Sequence, residues 1–185
     1  MSSWDERYKQ GLHAKDEPHP LVLEYVSRRA AGRALDLACG PGRHALFLAH
    51  LGWHVTAVDS SAVATVMLRN RSRKEGLQIE AHLADLERHE FAVPPDTYDL
   101  IVICNYLQRD LFRAARAGTR IGGLIIAIVA MIDDDPSIKP MNPDYLVAPG
   151  ELRAQFVDCE LIHDFEGKRA EGARAMAEIV ARKVN

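Results

Sequence analysis

Residues Leu35–Ala49 read LDLACGPGRHALFLA, an apolar run, a carboxylate and a Gly-Pro-Gly turn followed by an amphipathic run with helical spacing. The spacing predicts a buried strand over 33–38 (RALDLA), a tight turn, and a helix over RHALFLAHLG that Gly52 ends. WHVTAVD (53–59) reads as a second strand, so strand, helix and strand form one parallel unit. Upstream, HPLVLEYVSRRAAG sets Leu21, Val22, Tyr25 and Val26 on one helical face, with Gly32 as the stop.

The alternation continues downstream. A helix capped by Ser60 or Ser61 runs to Gly76, and LQIEAHLAD (77–85) alternates as a third strand. DTYDLIVICN gives a fourth strand, LQRDLFRAARAG a helix stopped at Gly118, and IGGLIIAIVAM a fifth strand. Proline-rich 132–152 reads as a long loop over one edge, with DDDP facing solvent. A short helix at PGELRAQFV then precedes strands CELIHDFE and AMAEIVARKV, whose short connection predicts an antiparallel hairpin. The expected fold is α/β, one doubly wound sheet of seven strands, mostly parallel with that hairpin at the end.

The chain has 185 residues and 48% hydrophobic content, enough for one domain that buries roughly 70% of its unfolded surface. Residues 1–32 are read as cap helices on a core spanning 33–185. Cys39, Cys104 and Cys159 have neither zinc nor disulfide spacing and are read as reduced core thiols of a cytoplasmic protein. MSSWDERYKQ holds no apolar signal core, and the run 121–132 falls short of the about 20 residues that a membrane span needs. A net charge of −3 argues against a nucleic-acid footprint, and RNRSRKE (69–75) is read as the solvated end of a helix. No histidine has metal-ligand spacing, so no metal site is expected.

In an open α/β sheet ligands sit at the carboxyl ends of the strands, which puts 36–44 in a site. Gly40-Pro41-Gly42-Arg43-His44-Ala45 satisfies the dinucleotide pattern G-x-G-x-x-A, and Asp59 stands near the position of a ribose carboxylate. A nicotinamide-dependent oxidoreductase is therefore one reading. Asp36 weighs against it, because a pyrophosphate at a helix N-terminus is repelled by a nearby carboxylate, whereas a cationic ligand is attracted. The alternative for Asp36 is structural: capping the loop or satisfying backbone amides.

ALDLACGPGRHALFLA, VTAVDSS, AHLADLE and YDLIVICNYL resemble, in order and spacing, the successive motifs of class I S-adenosylmethionine-dependent methyltransferases. WDERYKQG, NPDYLVAPGEL and CELIHDFEG resemble the small tellurite-resistance (TehB-like) branch, so the likeness covers nearly the whole chain. It implies a Rossmann-like core, S-adenosylmethionine as methyl donor and S-adenosylhomocysteine as product. It assigns Asp36, Ala38, Cys39, Gly40, Gly42 and Arg43 to the methionine part of the donor. Ala38 stands where the family often has glycine, a departure read as cheap because alanine is small. Asp59 and Ser60 fall at the ribose, Asp85 and Leu86 at the adenine, and Asn105 at the exit of the fourth strand. His44, on the first helical turn, is read as equally a surface residue.

The acceptor side is less defined. Asn105-Tyr106-Leu107-Gln108-Arg109 lacks the [N/D]-P-P-[Y/F] signature that resembles amide and exocyclic-amine methyltransferases, which lowers nucleic-acid and glutamine methylation as readings. Tyr106, Arg109 and Tyr8 are the acceptor-side candidates, Arg109 suggesting an anionic substrate unless it is merely solvated. Trp4, Tyr8 and the segment around His13 and His19 resemble the element that closes over the donor in this branch, or else pack a terminal helix. The resulting expectation is methyl transfer to a small, soft or anionic acceptor such as a thiol or chalcogen oxyanion, by a monomer or homodimer. A non-catalytic S-adenosylmethionine-binding domain remains a third reading.

Overall fold

The structure, a computed structural model, describes residues 4–11 and 17–185. Its elements run α1 (Trp4–Lys9), α2 (Pro20–Val26), β1 (Arg33–Leu37), α3 (Arg43–His50), β2 (His54–Asp59), α4 (Ala62–Glu75), β3 (Ile79–Leu83), β4 (Tyr98–Cys104), α5 (Arg109–Gly118), β5 (Thr119–Ala130), α6 (Glu151–Ala154), β6 (Cys159–Gly167) and β7 (Met176–Lys183). A single 3-10 turn, Pro143–Tyr145, interrupts the long loop. The seven strands form one hydrogen-bonded sheet in the order β3-β2-β1-β4-β5-β7-β6.

Two compact units are distinguished, residues 1–92 with 100–102, and residues 93–99 with 103–185. In the first, β1 and β2 pair in parallel with Asp36 beside Ala57, and β2 pairs in parallel with β3, Asp59 beside Leu83. Ala34–Leu37 and Val55–Asp59 are buried throughout, the continuous pattern of strands covered on both faces. The core there gathers Leu35, Leu37, Leu48, Trp53 and Leu68. Ser61 is the N-cap of α4, its Oγ accepting from the Ala64 amide at 3.1 Å, and Gly76 ends the helix at φ 66°. Arg69 is more than a solvated helix end, since its guanidinium donates to the Ala81 carbonyl on β3 at 2.6 Å.

In the second unit β7 pairs antiparallel with both β5 and β6, lying between them in the order, and the β6–β7 pairing shifts register between Leu161 and His163. The antiparallel hairpin expected from the sequence is present. Phe112 of α5 meets Phe156 edge-on at 5.8 Å in its core. The DDDP segment departs from expectation, because Lys168 bridges Asp133 at 3.1 Å and Asp135 at 2.6 Å, and Asp133 also accepts from the Ala175 amide. These carboxylates tie the loop after β5 to the β6–β7 connection.

Candidate functional site

The turn after β1 is built from left-handed backbone: Ala38 at φ 54°, Gly40 at φ 54° and Gly42 at φ 93°. Ala38 is therefore unusual for its conformation, not its size, and the reading that its departure from glycine is cheap needs correction. A Cβ in this region costs about 1–2 kcal/mol. Gly42 is required twice over, since a Cβ there would stand 2.3 Å from Leu68 Cδ1. Gly42 caps α3 without a side-chain bond, and the missing acceptor comes from the strand: the Ala45 amide donates to Asp36 Oδ2 at 3.0 Å.

Both candidate carboxylates are buried, Asp36 at 1% and Asp59 at 7% exposure. Burial pushes the Asp36 carboxyl up to about 7, opposed by the Ala45 amide and by Arg43, and reinforced by Asp59. Asp59 accepts from the Gly40 amide at 2.7 Å on Oδ2 and from the Ser61 amide at 2.8 Å on Oδ1. Burial raises its carboxyl as well, against those two bonds. Both residues thus satisfy backbone amides, and each carboxylate oxygen retains a second lone pair for a ligand. Cys39 is buried in the same turn, its thiol raised by burial and then by Asp36 and Asp59, which leaves it unreactive. Ser60 is exposed, and the neighbouring Ser61 is the buried cap.

Helix α1 lies against this turn. Tyr8 is buried, and its hydroxyl oxygen would be 2.9 Å from a Cβ placed on Gly40. Trp4 stacks on Tyr8 at 5.8 Å and carries Arg7 over its own ring, yet stays half exposed. Asp5 accepts from the Ser61 hydroxyl and, at 3.3 Å, from the Val63 amide at the start of α4. Asp5 escaped the reading of the sequence because its partners lie 56 and 58 residues away; the only local sign was an acidic residue in a first helical turn. His13 lies outside the described residues. His19 caps α2, its Nδ1 accepting from the Leu21 amide at 3.3 Å, and its own amide donates to His44 Nε2 at 3.2 Å. His44 is therefore buried, contrary to a place on the surface, and burial lowers its pKa to about 3, with Arg43 and His19 adding to the effect.

After β3, Asp85 is half-buried and Leu86 buried. Asp85 Oδ1 accepts from the Glu87 amide at 3.0 Å while its own amide donates to Glu90 Oε2 at 2.9 Å. This turn ends β3 at Leu83, short of the expected 85.

The remaining candidates belong to the second unit. Asn105, exposed at the end of β4, has φ 58° and donates its amide to the Ile128 carbonyl at 2.8 Å. The Tyr106 hydroxyl donates to Gln108 Oε1 at 2.8 Å. Arg109 is not simply solvated: Nε donates to Glu151 Oε1 at 2.6 Å, and Nη2 reaches the Leu146 carbonyl at 3.3 Å. Its guanidinium clamps the end of the long loop to the start of α6. Among the described residues, no group of three or more His, Cys, Asp or Glu side chains is placed to hold a metal ion.

The family model described as tellurite resistance protein TehB matches residues 3–171. Hemagglutinin 1 of Eikenella corrodens is 31% identical over 163 residues, covering 84% of this chain and 53% of that protein. The "Probable S-adenosyl-L-methionine-dependent methyltransferase TehB" of Haemophilus influenzae is 29% identical over 151 residues, 78% of this chain and 51% of that one. The chain thus spans about half the length of these relatives. The crystal structure of TehB from Haemophilus influenzae superposes with a TM-score of 0.77 at 27% identity, over 97% of this chain and 67% of that one. With residues 3–171 matched by that family model, the chain belongs to the TehB family of tellurite resistance proteins.

Proposed function

We propose that the chain binds S-adenosylmethionine at the turn after β1 and transfers its methyl group to a small acceptor, releasing S-adenosylhomocysteine. The observation that carries this reading is the pair of buried carboxylates, Asp36 and Asp59, flanking a glycine turn at the carboxyl ends of β1 and β2. Such a site disfavours a pyrophosphate and favours a cationic nucleoside without phosphate. The Haemophilus relative's name supports the same donor. In this reading Asp36, Ala38, Cys39, Gly40, Gly42 and Arg43 hold the methionine part, Asp59 with Ser60 the ribose, and Asp85 with Leu86 the adenine. Asn105 completes the donor set, and Tyr106, Arg109 and Tyr8 serve the acceptor, Arg109 through the loop it clamps.

The donor supplies an electrophilic methyl on a sulfonium. The acceptor's lone pair forms the new bond as the sulfur–carbon bond breaks, so alignment supplies much of the rate. A thiolate or chalcogen oxyanion has no proton to lose and needs no general base, which suits the residues from Asn105 to Arg109. A cytoplasmic location belongs to this proposal, supported by three free cysteines. No helix among the described residues is long and apolar enough to cross a membrane.

The test is turnover: the protein is incubated with S-adenosylmethionine and, separately, a thiol, selenite and tellurite, and S-adenosylhomocysteine is quantified. Acceptor-dependent product with at least one of them supports the reading. Donor binding without turnover on any small acceptor would favour a binding domain instead.

A further inference from the structure

Residues 132–146 leave the carboxyl end of β5 and return beside it. Met131 and Val147 form a parallel bridge, the Ile132 amide donates to the Val147 carbonyl at 3.0 Å, and the Val147 amide donates to the Ala130 carbonyl at 3.0 Å. The segment is thus an Ω-loop with joined ends, stiffened by Pro136, Pro140 and Pro143. Lys168 holds Asp133 and Asp135 near its start, and Arg174 donates to the Lys139 carbonyl.

The far end of the loop is fixed more closely. Asn142 caps the 3-10 turn Pro143–Tyr145, its Oδ1 accepting from the Asp144 amide at 3.1 Å, and the Tyr145 amide donates to the Asn142 carbonyl at 3.0 Å. Arg109 reaches the carbonyls on both sides of Tyr145, that of Asp144 at 3.5 Å and that of Leu146 at 3.3 Å. Leu146 and Val147 are buried, so the backbone of Tyr145 is anchored while its side chain is 45% exposed. Met141, 39% exposed, and Ile132, 49% exposed, are further large apolar side chains that this loop leaves at the surface. Holding an exposed aromatic at so many points costs conformational entropy that its own packing does not return. The loop also stands at the sheet edge where ligands bind in an α/β fold, and the Asn105 amide, donating to the Ile128 carbonyl at 2.8 Å, brings the exit of β4 to the same edge.

We infer that Tyr145 is a specificity-determining residue that offers its ring, with Met141 and Ile132, to the apolar body of the methyl acceptor, which is therefore an organic thiol and not a bare chalcogen oxyanion. This rests on the proposed methyl transfer. An oxyanion gains nothing from covering three apolar side chains, whereas an organic group removes them from water together with its own surface. The thiol gives its proton to solvent, and the thiolate lone pair forms a bond to the methyl carbon as the sulfonium–carbon bond breaks. The products are a methyl thioether and S-adenosylhomocysteine. Arg109 acts in this reading as the positioning residue that holds the backbone on either side of Tyr145.

Two measurements on the full chain test this, with wild type, Tyr145→Ala and Tyr145→Phe. The acceptors are phenethylthiol and ethanethiol, which differ chiefly in apolar body, with selenite as the bare oxyanion. Wild type is expected to favour phenethylthiol over ethanethiol by about tenfold or more in kcat/KM, and either thiol over selenite. Tyr145→Ala is expected to lose most of that preference through the phenethylthiol KM, and Tyr145→Phe to keep it. A preference for selenite, a preference between the thiols that Tyr145→Ala retains, or none in the wild type would overturn the inference and leave the methyltransferase reading standing. The second measurement needs no donor: in protein with isotope-labelled methionine methyls, the Met141 signal, identified with Met141→Leu, is expected to shift on adding phenethylthiol and not on adding selenite. An unmoved signal would overturn the inference. Failure of the wild type to bind S-adenosylmethionine would overturn the methyltransferase reading, and the Met141 signal would still decide whether the loop holds an apolar molecule.

Discussion

The Gly40 amide and the Asp59 carboxylate are joined at 2.7 Å, so the turn after β1 and the end of β2 are a single hydrogen-bonded unit. Because Asp59 also takes the Ser61 amide, its loss strands two buried donors. Asp59→Ala is expected to cost about 1–3 kcal/mol of stability in denaturant melts, and to weaken S-adenosylmethionine binding about 10- to 100-fold by calorimetry. Unchanged affinity would remove Asp59 from the donor site. The same melts test the single-domain expectation, for which fluorescence and circular dichroism should report one coincident transition.

Asp36 makes the protein's stability depend on pH in an unusual direction. Its carboxyl is pushed up from 3.8 to about 7 in the fold, so between these values the native state holds a proton that the unfolded chain has lost. Its contribution is complete below about pH 4 and is lost as pH rises toward 7. Relative to Asp36→Asn, the wild type should lose roughly 2–4 kcal/mol across that interval and nothing more above it. His44, lowered from 6.5 to about 3, acts oppositely, its contribution present above pH 6.5 and lost on acidification, so the comparison must be made between variants. Since a cationic ligand favours ionised Asp36, S-adenosylmethionine affinity should rise from pH 5.5 to 7 in the wild type and be flat in Asp36→Asn. A flat wild-type profile would contradict the ionic role.

Much of this organisation could be read from local sequence, because it is set by local physics. The buried runs of β1, β2 and β5, the Ser61 cap and the Gly76 stop follow from side-chain periodicity and turn chemistry, as does the glycine turn. Features that depend on distant partners could not. The place of β7 between β5 and β6 is a non-local pairing, and the burial of His44 depends on the His19 amide, 25 residues away. Arg109 looked solvated or substrate-facing because Glu151, its partner, lies 42 residues on. The backbone of Ala38 was hidden because alanine is ordinarily content in a strand.

That backbone gives a clean experiment. Ala38→Gly should relieve the left-handed conformation at φ 54° and, after the added entropy of the unfolded chain, stabilise the protein by about 0.5–1 kcal/mol. Gly42→Ala should do the reverse, losing more than about 2 kcal/mol, because the new methyl meets Leu68. Equal and opposite small shifts in both would show that the turn relaxes freely.

The Arg109–Glu151 contact at 2.6 Å is partly exposed, so its removal should be mild in stability. A double-mutant cycle with Arg109→Gln and Glu151→Gln should give a coupling of about 0.5–1 kcal/mol. If Arg109 acts through the clamped loop, both single variants should raise the acceptor KM to a similar extent. An effect on KM confined to Arg109→Gln would instead place its guanidinium on the acceptor.

Titrating the protein calorimetrically with S-adenosylmethionine, S-adenosylhomocysteine and NADH side by side separates a cationic nucleoside from a dinucleotide at this turn. Micromolar binding of the first two with none of NADH is the expected result, as a turn between two buried carboxylates requires. Binding of NADH alone would mean that the turn holds a pyrophosphate, and would contradict the account.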